Sequence, residues 1–438
     1  MTQEPPGAVD EVVDLCRDLL RIDSTNYGDG TGPGEREAAG YVTDRLREVG
    51  VDPVVLESGP RRTNVVARLP GADPARQDAL LLHGHLDVVP ADPKQWRYDP
   101  WAAEVADGCI WGRGAVDMKD MDAMLLAVVR DRVRRGHLPD RPVVVCFTAD
   151  EEAGGLMGAH WLVDTRPDLF DSCTEAVGEV GGFSVTLPTG RRTYLVQTAE
   201  KGIAWLTVEA EGTEGHGSLP HHDNAVAELC RALARVADHE WPTVLTPTVD
   251  TLFDRVAEST GARPDADDVE GLRHVLGSVG RIVRATTRNT ANPTVVRAGQ
   301  KTNQVPRVAQ AQIDGRFLPG QRDEFLATVV DLLGERTRVI DSHLDVALEA
   351  PFSGRTVDAM VTALTECDPG CAVAPYMLFG GTDAKAFARL GIRGYGFSPL
   401  RLPDDLDFPA LFHGVDERVP IDALTFGVRA LDRLLDLC

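Results

Sequence analysis

The sequence predicts an α/β protein in which a three-layer domain surrounds a mostly parallel sheet and carries an inserted ferredoxin-like α+β domain. Short apolar runs, such as residues 79–82 and 142–148, are typical of strands buried on both faces of a sheet. These runs alternate with stretches of helical periodicity, which is the βαβ pattern of a parallel sheet. From about residue 200 the predicted order becomes β-α-β-β-α-β, which is typical of a ferredoxin-like module.

The elements of the first half follow from hydrophobic periodicity and from helix stop signals. The second predicted helix has an acidic start at Glu35 and Glu37, and Gly50 ends it. Residues 24–34, between the first two helices, form a polar, Gly-rich loop. The predicted helices are residues 9–20, 33–49 and 121–135, and the predicted strands are residues 54–56, 64–69, 79–82, 142–148 and 175–178.

The inserted domain is assigned to residues 200–350, and residues 1–199 and 351–438 form the two parts of the first domain. Residues 241–292 are a long segment containing proline and aspartate, to which the pattern assigns no role. The predicted strands of the insert are residues 202–212, 292–300, 306–317 and 336–348, and its predicted helices are residues 224–238 and 322–333.

Charge and composition argue against several classes of function. The 438-residue chain has a net charge of −23, which disfavours nucleic acid and anionic membrane as partners. No run approaches the roughly 18 apolar residues of a membrane span. Residues 1–14 are acidic and unlike a signal peptide, so we expect a cytoplasmic protein. The eight cysteines are expected to be free thiols, and the close pair Cys367 and Cys371 makes a poor zinc site.

Chemically active side chains follow the ends of the predicted buried strands. His85 follows one strand, Glu151 and Glu152 follow the next, and Glu179 follows a third. Because ligands gather beyond the carboxyl ends of parallel strands, we expect these four side chains to meet. Each also has an ordinary explanation, namely a histidine buried at a strand end or a solvated acidic turn.

Asp117 lies between two glycines and an apolar helical run, so we expect it at or just before a helix N-terminus. An ordinary N-cap aspartate is the alternative. A carboxylate there can also span two cations about 3.5–4 Å apart. His413 could complete such a set, and two His, one shared Asp and two Glu suit Zn²⁺ or Mn²⁺ better than Mg²⁺.

Nine motifs, in this order and spacing, make the chain similar to the dinuclear zinc aminoacylase/carboxypeptidase family. They are HGHLDVVP, WGRGAVDMKD, FTADEEAGG, GEVGGF, GHGSLP, KTNQVP, DGRFLP, GGTDAKAF and FHGVDERV. The family includes acetylornithine deacetylase, succinyl-diaminopimelate desuccinylase, glutamate carboxypeptidase and carnosinase-type dipeptidases. The resemblance covers residues 9–437, and the C-terminal stretch is most similar to the carboxypeptidase S-like and N-fatty-acyl amino acid hydrolase branch. Gly178 departs from that branch, which often has an acid there.

The resemblance implies two divalent metal ions, with zinc expected and manganese or cobalt as alternatives. Asp117 would bridge the two ions, and Glu151 would be the general base and acid. Asp87 would orient His85, and the peptide bond after Asp117 would be cis. One metal would take His85 and Glu179, and the other would take Glu152 and His413.

For the inserted domain the resemblance implies a lid that can also form a homodimer. His216 would reach an active site, in many members that of the partner chain, and stabilise the oxyanion. Asn303 and Arg316 would grip the free carboxylate of the substrate, although Arg316 could also be a surface ion pair. The loop expected to line the same pocket consists of Gly380, Gly381 and Thr382.

The implied reaction is hydrolysis of an amide bond next to a free α-carboxylate, with a metal-bridging water as nucleophile and Glu151 as base. The substrate is expected to be an N-acyl-amino acid or a short peptide. An N-acyl-amino-acid hydrolase and a dipeptidase or carboxypeptidase both remain open, because the sequence shows no acidic partner for a substrate ammonium group. A carbamoyl-amide hydrolase and a non-catalytic metal-binding protein on the same fold are further alternatives.

Overall fold

The computed structural model describes residues 6–438, so the first five residues of the acidic N-terminal stretch lie outside it. The helices are α1 (Ala8–Arg21), α2 (Arg36–Arg47), α3 (Lys119–Arg135), α4 (Ala159–Thr165), α5 (Ala225–Ala237), α6 (Pro247–Thr260), α7 (Val269–Leu276), α8 (Val279–Ala285), α9 (Arg322–Leu333), α10 (Arg355–Cys367), α11 (Ala384–Ala388) and α12 (Ile421–Leu437). Within residues 6–438, none of these helices has the length and apolar character that a membrane crossing requires.

The strands follow the predicted order closely. They are β1 (Val54–Gly59), β2 (Arg62–Leu69), β3 (Ala79–His85), β4 (Glu104–Ala106), β5 (Cys109–Trp111), β6 (Val143–Thr148), β7 (Cys173–Gly178), β8 (Phe183–Thr186), β9 (Arg192–Glu200), β10 (Gly202–Glu211), β11 (Gly215–His216), β12 (Thr290–Ala298), β13 (Gln304–Val305), β14 (Val308–Phe317), β15 (Thr337–Asp345), β16 (Leu348–Glu349), β17 (Ala372–Leu378), β18 (Arg393–Gly396) and β19 (Arg418–Pro420).

The large sheet has a parallel centre in the order β6-β3-β7-β18, and antiparallel strands flank it. Alternate residues of β3 enter cores on opposite faces. Leu80 and Leu82 belong to the core formed with α1, α3 and α12, whereas Leu81 belongs to the core formed with α4 and α11. Burying each leucine contributes roughly 1.5–3 kcal/mol, so a shift of register would be costly. The predicted three-layer α/β arrangement is confirmed.

The second sheet is antiparallel, with the order β12-β14-β10-β15. Its strands and the helices α5 and α9 follow one another as β-α-β-β-α-β, which is the predicted ferredoxin-like pattern. Leu206 and Val208 of β10 lie in the core that both helices cover. Trp205 points to the other face and is 40% exposed. This second face is therefore the one available to a substrate.

The helices α6, α7 and α8, which we call the helical insertion, occupy the segment to which the sequence assigned no role. Their buried residues Val249, Phe253 and Val283 belong to the core of the large sheet and not to that of the lid sheet. The segment lies between lid strands in the sequence but packs beside β17 in the structure. The helical insertion is consequently packed onto the large domain.

Candidate metal centre and substrate cavities

Three neighbouring strands bring their carboxyl ends to one edge of the large sheet. β3 ends at His85, which pairs in register with Thr148 at the end of β6. Glu151 and Glu152 follow β6 in a short 3-10 turn, and Glu179 follows directly after β7. Because β3 lies between β6 and β7, the parallel register alone places these side chains together.

Asp117 lies between two groups of ligand-type atoms. Its Oδ1 is 3.1 Å from His85 Nε2, and its Oδ2 is 3.2 Å from His413 Nε2. Glu179 Oε2 lies 3.4 Å from His85 Nε2, and Glu152 Oε2 lies 2.9 Å from His413 Nε2. Within each group the ligand atoms lie within 4.8 Å of one another. The structure thus brings all five expected ligands together, with one oxygen of Asp117 facing each histidine.

A buried carboxylate holds the loop that carries Asp117. Glu417 accepts hydrogen bonds from the backbone N–H groups of Gly114, Val116 and Asp117, at 3.0, 2.7 and 3.2 Å. Its other partner is Arg113, whose Nη1 donates at 2.6 Å. The peptide bond after Asp117 is cis, as expected. Sequence reasoning gave Glu417 no role, although it lies inside the quoted motif FHGVDERV.

Asp87 organises more than the histidine for which it was singled out. Its carboxylate accepts the backbone N–H groups of Glu151 and Glu152, both at 3.1 Å. Its backbone carbonyl oxygen lies 3.0 Å from His85 Nδ1, which directs the other ring nitrogen towards Asp117. Asp87 therefore aligns a candidate ligand and the turn that carries the candidate base.

Asn26 connects this arrangement to a second buried network. Its side-chain nitrogen donates to Asp87 Oδ2 at 2.9 Å and to Asp150 Oδ1 at 3.0 Å. Arg62 donates to Asn26 Oδ1 at 2.8 Å and also pairs with the buried Glu35. The sequence showed this region only as a polar loop, because nothing in the local spacing reveals that it folds back onto residues 87 and 150.

The centre carries more negative charge than its histidines can balance. Burial, followed by the neighbouring Glu179 carboxylate, raises the pKa of Glu151 well above its usual range. Burial likewise raises the pKa of Glu179 to about 8. Hydrogen bonds to Asp117 and Glu152 raise the pKa of His413 to about 10. These shifts are what crowded acids produce without a compensating cation.

The donor set fits a pair of divalent cations. Glu152 Oε1 is buried and has no hydrogen-bond partner among the described residues, as expected for an oxygen that faces an ion. Imidazole nitrogens and carboxylate oxygens are ligands that zinc, manganese and cobalt accept. The departure at Gly178 also has a local cause, because a Cβ atom there would lie 2.3 Å from the ring of His83.

Two cavities open onto the centre. The apolar cavity, about 340 Å³, reaches Asp117 and Glu151, and its wall includes Phe183, Ile282, Tyr376, Leu378, Phe408 and Phe412. The polar cavity, about 300 Å³, reaches Glu151 and Glu152, and its wall includes His160, Trp205, Arg316, His343, Asp345 and Lys385. The two cavities share Gly380 and Gly381, and Thr382 lines the polar one.

Arg316 lies in the polar cavity and is held in a defined orientation. Its Nε and Nη2 donate to the two carboxylate oxygens of Asp314, at 2.7 and 3.3 Å. Its guanidinium carbon is 5.8 Å from the centroid of the Trp205 ring. Thr382, on the opposite wall, is fixed by hydrogen bonds to the buried Glu200. The cavity thus presents an aligned cation to the centre.

His216 and Asn303 lie elsewhere. They belong to the short β11–β13 pair and its adjoining turn, where the Asn303 carbonyl oxygen accepts the backbone N–H of Gly217 at 2.8 Å. His216 is exposed, and its Nδ1 lies 2.8 Å from Ser218 Oγ. Neither residue is among those that line the two cavities. A single chain in this conformation does not bring them to the centre.

Comparison with known proteins identifies the class of protein. The model of peptidase family M20/M25/M40 matches residues 81–437, and the chain belongs to this family. An N-fatty-acyl-amino acid synthase/hydrolase from Xenopus tropicalis is 27% identical, over 97% of this chain and 85% of the relative. A carboxypeptidase S-like protein from Dictyostelium discoideum is 28% identical, over 78% and 68%. The fold matches an M20 family metallo-carboxypeptidase from Sulfolobus solfataricus with a TM-score of 0.74 and 19% identity, over 98% and 99%.

The family assigns the general activity. Its members are metal-dependent amidohydrolases and peptidases, so this protein is a metal-dependent hydrolase of an amide bond at an amino acid. The resemblance deduced from the motifs is confirmed. The choice of substrate then depends on the two cavities.

Proposed function

We propose that this protein hydrolyses N-acyl-amino acids that carry an apolar acyl group. The reaction would use two divalent cations, for which zinc is the first candidate. The apolar cavity is the observation that carries the proposal. The carboxylates in its wall are those of Asp117, Glu151, Glu152 and Glu179, all of which belong to the metal centre. A dipeptide would place its ammonium group among aromatic rings there without a further acidic partner. An apolar acyl chain needs no acidic partner.

The proposed ligands follow from the two groups of atoms around Asp117. His85 and Glu179 would hold one cation, Glu152 and His413 would hold the other, and Asp117 would bridge them. The cations, when bound, would polarise the scissile carbonyl group and lower the pKa of a coordinated water. Asp87 and Glu417 would fix the ligand-bearing segments without touching the substrate.

Glu151 is the proposed general base and acid. It lines both cavities, so it faces the place where the acyl and amine halves of a substrate meet. Its Oε2 lies 3.9 Å from His85 Nε2, which is the longest separation from that nitrogen among the neighbouring carboxylates. Glu151 would take a proton from the attacking water and return it to the leaving amine.

The polar cavity is the proposed site for the amino acid half. Arg316 would bind its free carboxylate, because Asp314 and Trp205 hold the guanidinium ready on the lid face. The loop of Gly380, Gly381 and Thr382 would close the other side, and Asn303 would add a further polar contact. The scissile amide would then lie between the two cavities, beside Glu151.

The lid supports a further part of the proposal, namely a homodimer. His216 and Asn303 are exposed on the lid, away from the centre of their own chain. In a dimer formed through the lid, the partner's His216 would reach the oxyanion, where a fixed hydrogen-bond donor contributes most. Sedimentation of the metal-loaded protein should show two copies per particle.

A substrate panel tests the proposal. Metal-depleted protein should be inactive, and Zn²⁺, Mn²⁺ or Co²⁺ should restore hydrolysis of N-acyl-amino acids at a higher kcat/KM than that of dipeptides with the same C-terminal residue. Amidating the substrate carboxylate should lower kcat/KM strongly and leave only a residual rate. Faster cleavage of dipeptides would contradict the assignment of the apolar cavity. Release of ammonia from N-carbamoyl substrates would instead indicate a carbamoyl-amide hydrolase.

A further inference from the structure

The helical insertion contributes one residue, Ile282, to the wall of the apolar cavity. Val249 and Phe253 of α6 and Val279 and Val283 of α8 are buried in the core of the large domain. Ile282, between two core-facing positions of α8, is only half-buried and lines the cavity. A segment that the sequence order places in the lid region therefore supplies part of the wall of the apolar cavity.

Two contacts fix α8 against its surroundings. Lys201 is 1% exposed, and its Nζ donates to the carbonyl oxygens of Ala285 and Arg288 at 3.0 and 2.8 Å. These carbonyls lie at the C-terminal end of α8, where a cation is favourable. At the other side, Arg281 Nη2 lies 3.1 Å from Asp407 Oδ2. The buried Lys201 thus fixes the chain that follows Ile282, whereas the exposed pair of Arg281 and Asp407 adds little.

Four aromatic rings form a connected surface in the same wall. The ring centroids of Phe183 and Tyr376 are 5.6 Å apart, and those of Phe183 and Phe408 are 5.0 Å apart. Phe408 contacts Phe412 at 5.1 Å, next to His413 in the chain. The surface therefore runs from the metal centre to the loop beside α8. Ile282 is the branched aliphatic side chain that the helical insertion adds to it.

We infer that Ile282 is a specificity-determining residue that sets the length of acyl chain this protein accepts. The inference rests on the proposed function, since it assumes that the apolar cavity takes the acyl group. Ile282 occupies volume into which the far end of a longer chain would otherwise extend. Shortening its side chain lengthens the cavity, and enlarging it shortens the cavity, with no change at the metal centre.

The test uses three variants on the metal-loaded protein: Ile282→Ala, Ile282→Val and Ile282→Trp. A series of N-acyl-amino acids with one amino acid and straight acyl chains from acetyl to palmitoyl is measured by kcat/KM. Ile282→Ala should move the preferred chain two or three methylenes longer and change the long-to-short ratio about tenfold. Ile282→Trp should move it shorter and lower kcat/KM least for acetyl substrates, and the shift for Ile282→Val should be smaller than that for Ile282→Ala.

Ile340 offers a matched control, because it is the same residue type on the lid strand β15 and is 42% exposed. Ile340→Ala and Ile340→Trp should keep the wild-type chain-length profile. Thermal melting shows that each variant is folded. An unchanged profile in folded Ile282→Ala and Ile282→Trp would overturn the inference.

A second measurement separates this inference from the proposed function. Straight-chain carboxylates of the same lengths resemble the acyl product, and their binding can be measured by calorimetry without turnover. Affinity should rise about fourfold per methylene until the cavity ends, and Ile282→Ala should move that end outward. If no N-acyl-amino acid is hydrolysed but Ile282→Ala moves the end of the binding series outward, the proposed function fails while Ile282 still limits the length of the apolar cavity. If Ile282→Ala changes neither the hydrolysis profile nor the binding series, the role of Ile282 fails.

Discussion

The large domain and the lid differ in how much of the active site one chain assembles. In the large domain the five expected ligands converge around Asp117, although they come from distant parts of the sequence. In the lid, Arg316 reaches the polar cavity, whereas His216 and Asn303 stay on the exposed β11–β13 pair and its adjoining turn. The expected site residues of the large domain, which we call the complete half, meet within one chain. Those of the lid, the incomplete half, do not all reach the centre.

The difference shows what each scaffold can position. Neighbouring parallel strands share a register, so residues at their carboxyl ends lie side by side at one edge of the sheet. The lid is joined to the large domain near Glu200 and Glu349, where β9 meets β16. Side chains far from that junction, such as His216, would need a movement of the lid or the proposed dimer to reach the centre.

The largest expected effect lies in the complete half. Glu151→Gln should lower kcat by about 10²–10⁴-fold, because the substituted amide cannot take the proton of water. Metal content should remain near two ions per chain, since Glu151 is outside the two ligand groups. Initial rates and elemental analysis on the same preparation measure both quantities.

Wild-type kcat in that variant would reject the role of Glu151. Loss of one metal ion together with the activity would instead indicate that Glu151 is a metal ligand in one of the two groups around Asp117. Glu57→Gln is a control on the exposed strand β1 and should leave kcat unchanged.

A somewhat smaller effect is expected in the incomplete half. His216→Ala should lower kcat about 10²–10³-fold, as for the loss of one oxyanion donor. If His216 acts across a dimer, co-expressing His216→Ala with Glu151→Gln should restore part of the activity, because mixed dimers contain one intact site. The neighbouring His222→Ala should be silent.

No recovery in demonstrated mixed dimers would place His216 in its own chain's site, reached by lid closure. The contrast between a complete and an incomplete half would then be one of conformation and not of chain number.

Arg316→Met should raise KM for N-acyl-amino acids roughly 10–100-fold, because the charged hydrogen bonds to the substrate carboxylate are lost. Substrates with an amidated carboxylate should not distinguish the variant from the wild type. Arg322→Met, at the start of α9 on the covered side of the lid sheet, is the control and should keep the wild-type KM. Equal losses on both substrate types would assign Arg316 a structural role beside Asp314.

The hydrogen bonds of Asn26 make a smaller contribution in the large domain. Asn26→Ala should lower kcat roughly tenfold, with KM changed little, because the Asp87 carboxylate loses a buried donor while Glu151 and Glu152 lose alignment. The free energy of unfolding should fall by about 1–3 kcal/mol. The exposed lid residue Asn292 provides the control Asn292→Ala, and an unchanged kcat for Asn26→Ala would remove Asn26 from the positioning network.

The smallest expected effect concerns a contact between the large domain and the lid. His160 Nε2 of the large domain lies 3.6 Å from Asp345 Oδ2 of the lid. This pairing raises the pKa of His160. Burial acts to raise the pKa of Asp345, but His160, Lys385 and the backbone N–H of Val346 together lower it. Asp383 also favours the charged imidazole, whereas Arg389 opposes it.

Because the folded pKa of His160 is raised, its stabilisation is complete below the ordinary histidine pKa and is lost as the pH rises through the raised value. The Asp345 part is lost when the pH falls through the lowered carboxyl pKa. His160→Gln should therefore cost about 0.5 kcal/mol of unfolding free energy near pH 6 and nothing near pH 9. A cost independent of pH, measured by urea unfolding, would show that the contact is not an ion pair.

Each element that the sequence pattern assigned is present within a few residues of its predicted bounds, because apolar runs and helical periodicity report burial directly. The pattern assigned no element after residue 350. It predicted β3 and β6 well, since both are buried along their whole length. It did not resolve residues 241–292, where α7 and α8 are short but α6 is as long as the predicted α1. It also missed Asn26 and Glu417, because their partners are about 60 and 300 residues away in the chain.

The order of residue types along this chain was enough to define the α/β class, the ferredoxin-like insert, the family and the set of candidate ligands. Those features are local, or repeat with the period of a helix or strand, or form motifs that stand together in the chain. The tertiary structure decided which oxygen of Asp117 faces which histidine, that Arg316 and not His216 reaches the cavities, and that Ile282 belongs to the substrate wall. These depend on contacts between distant segments, whose geometry is fixed only when the cores pack.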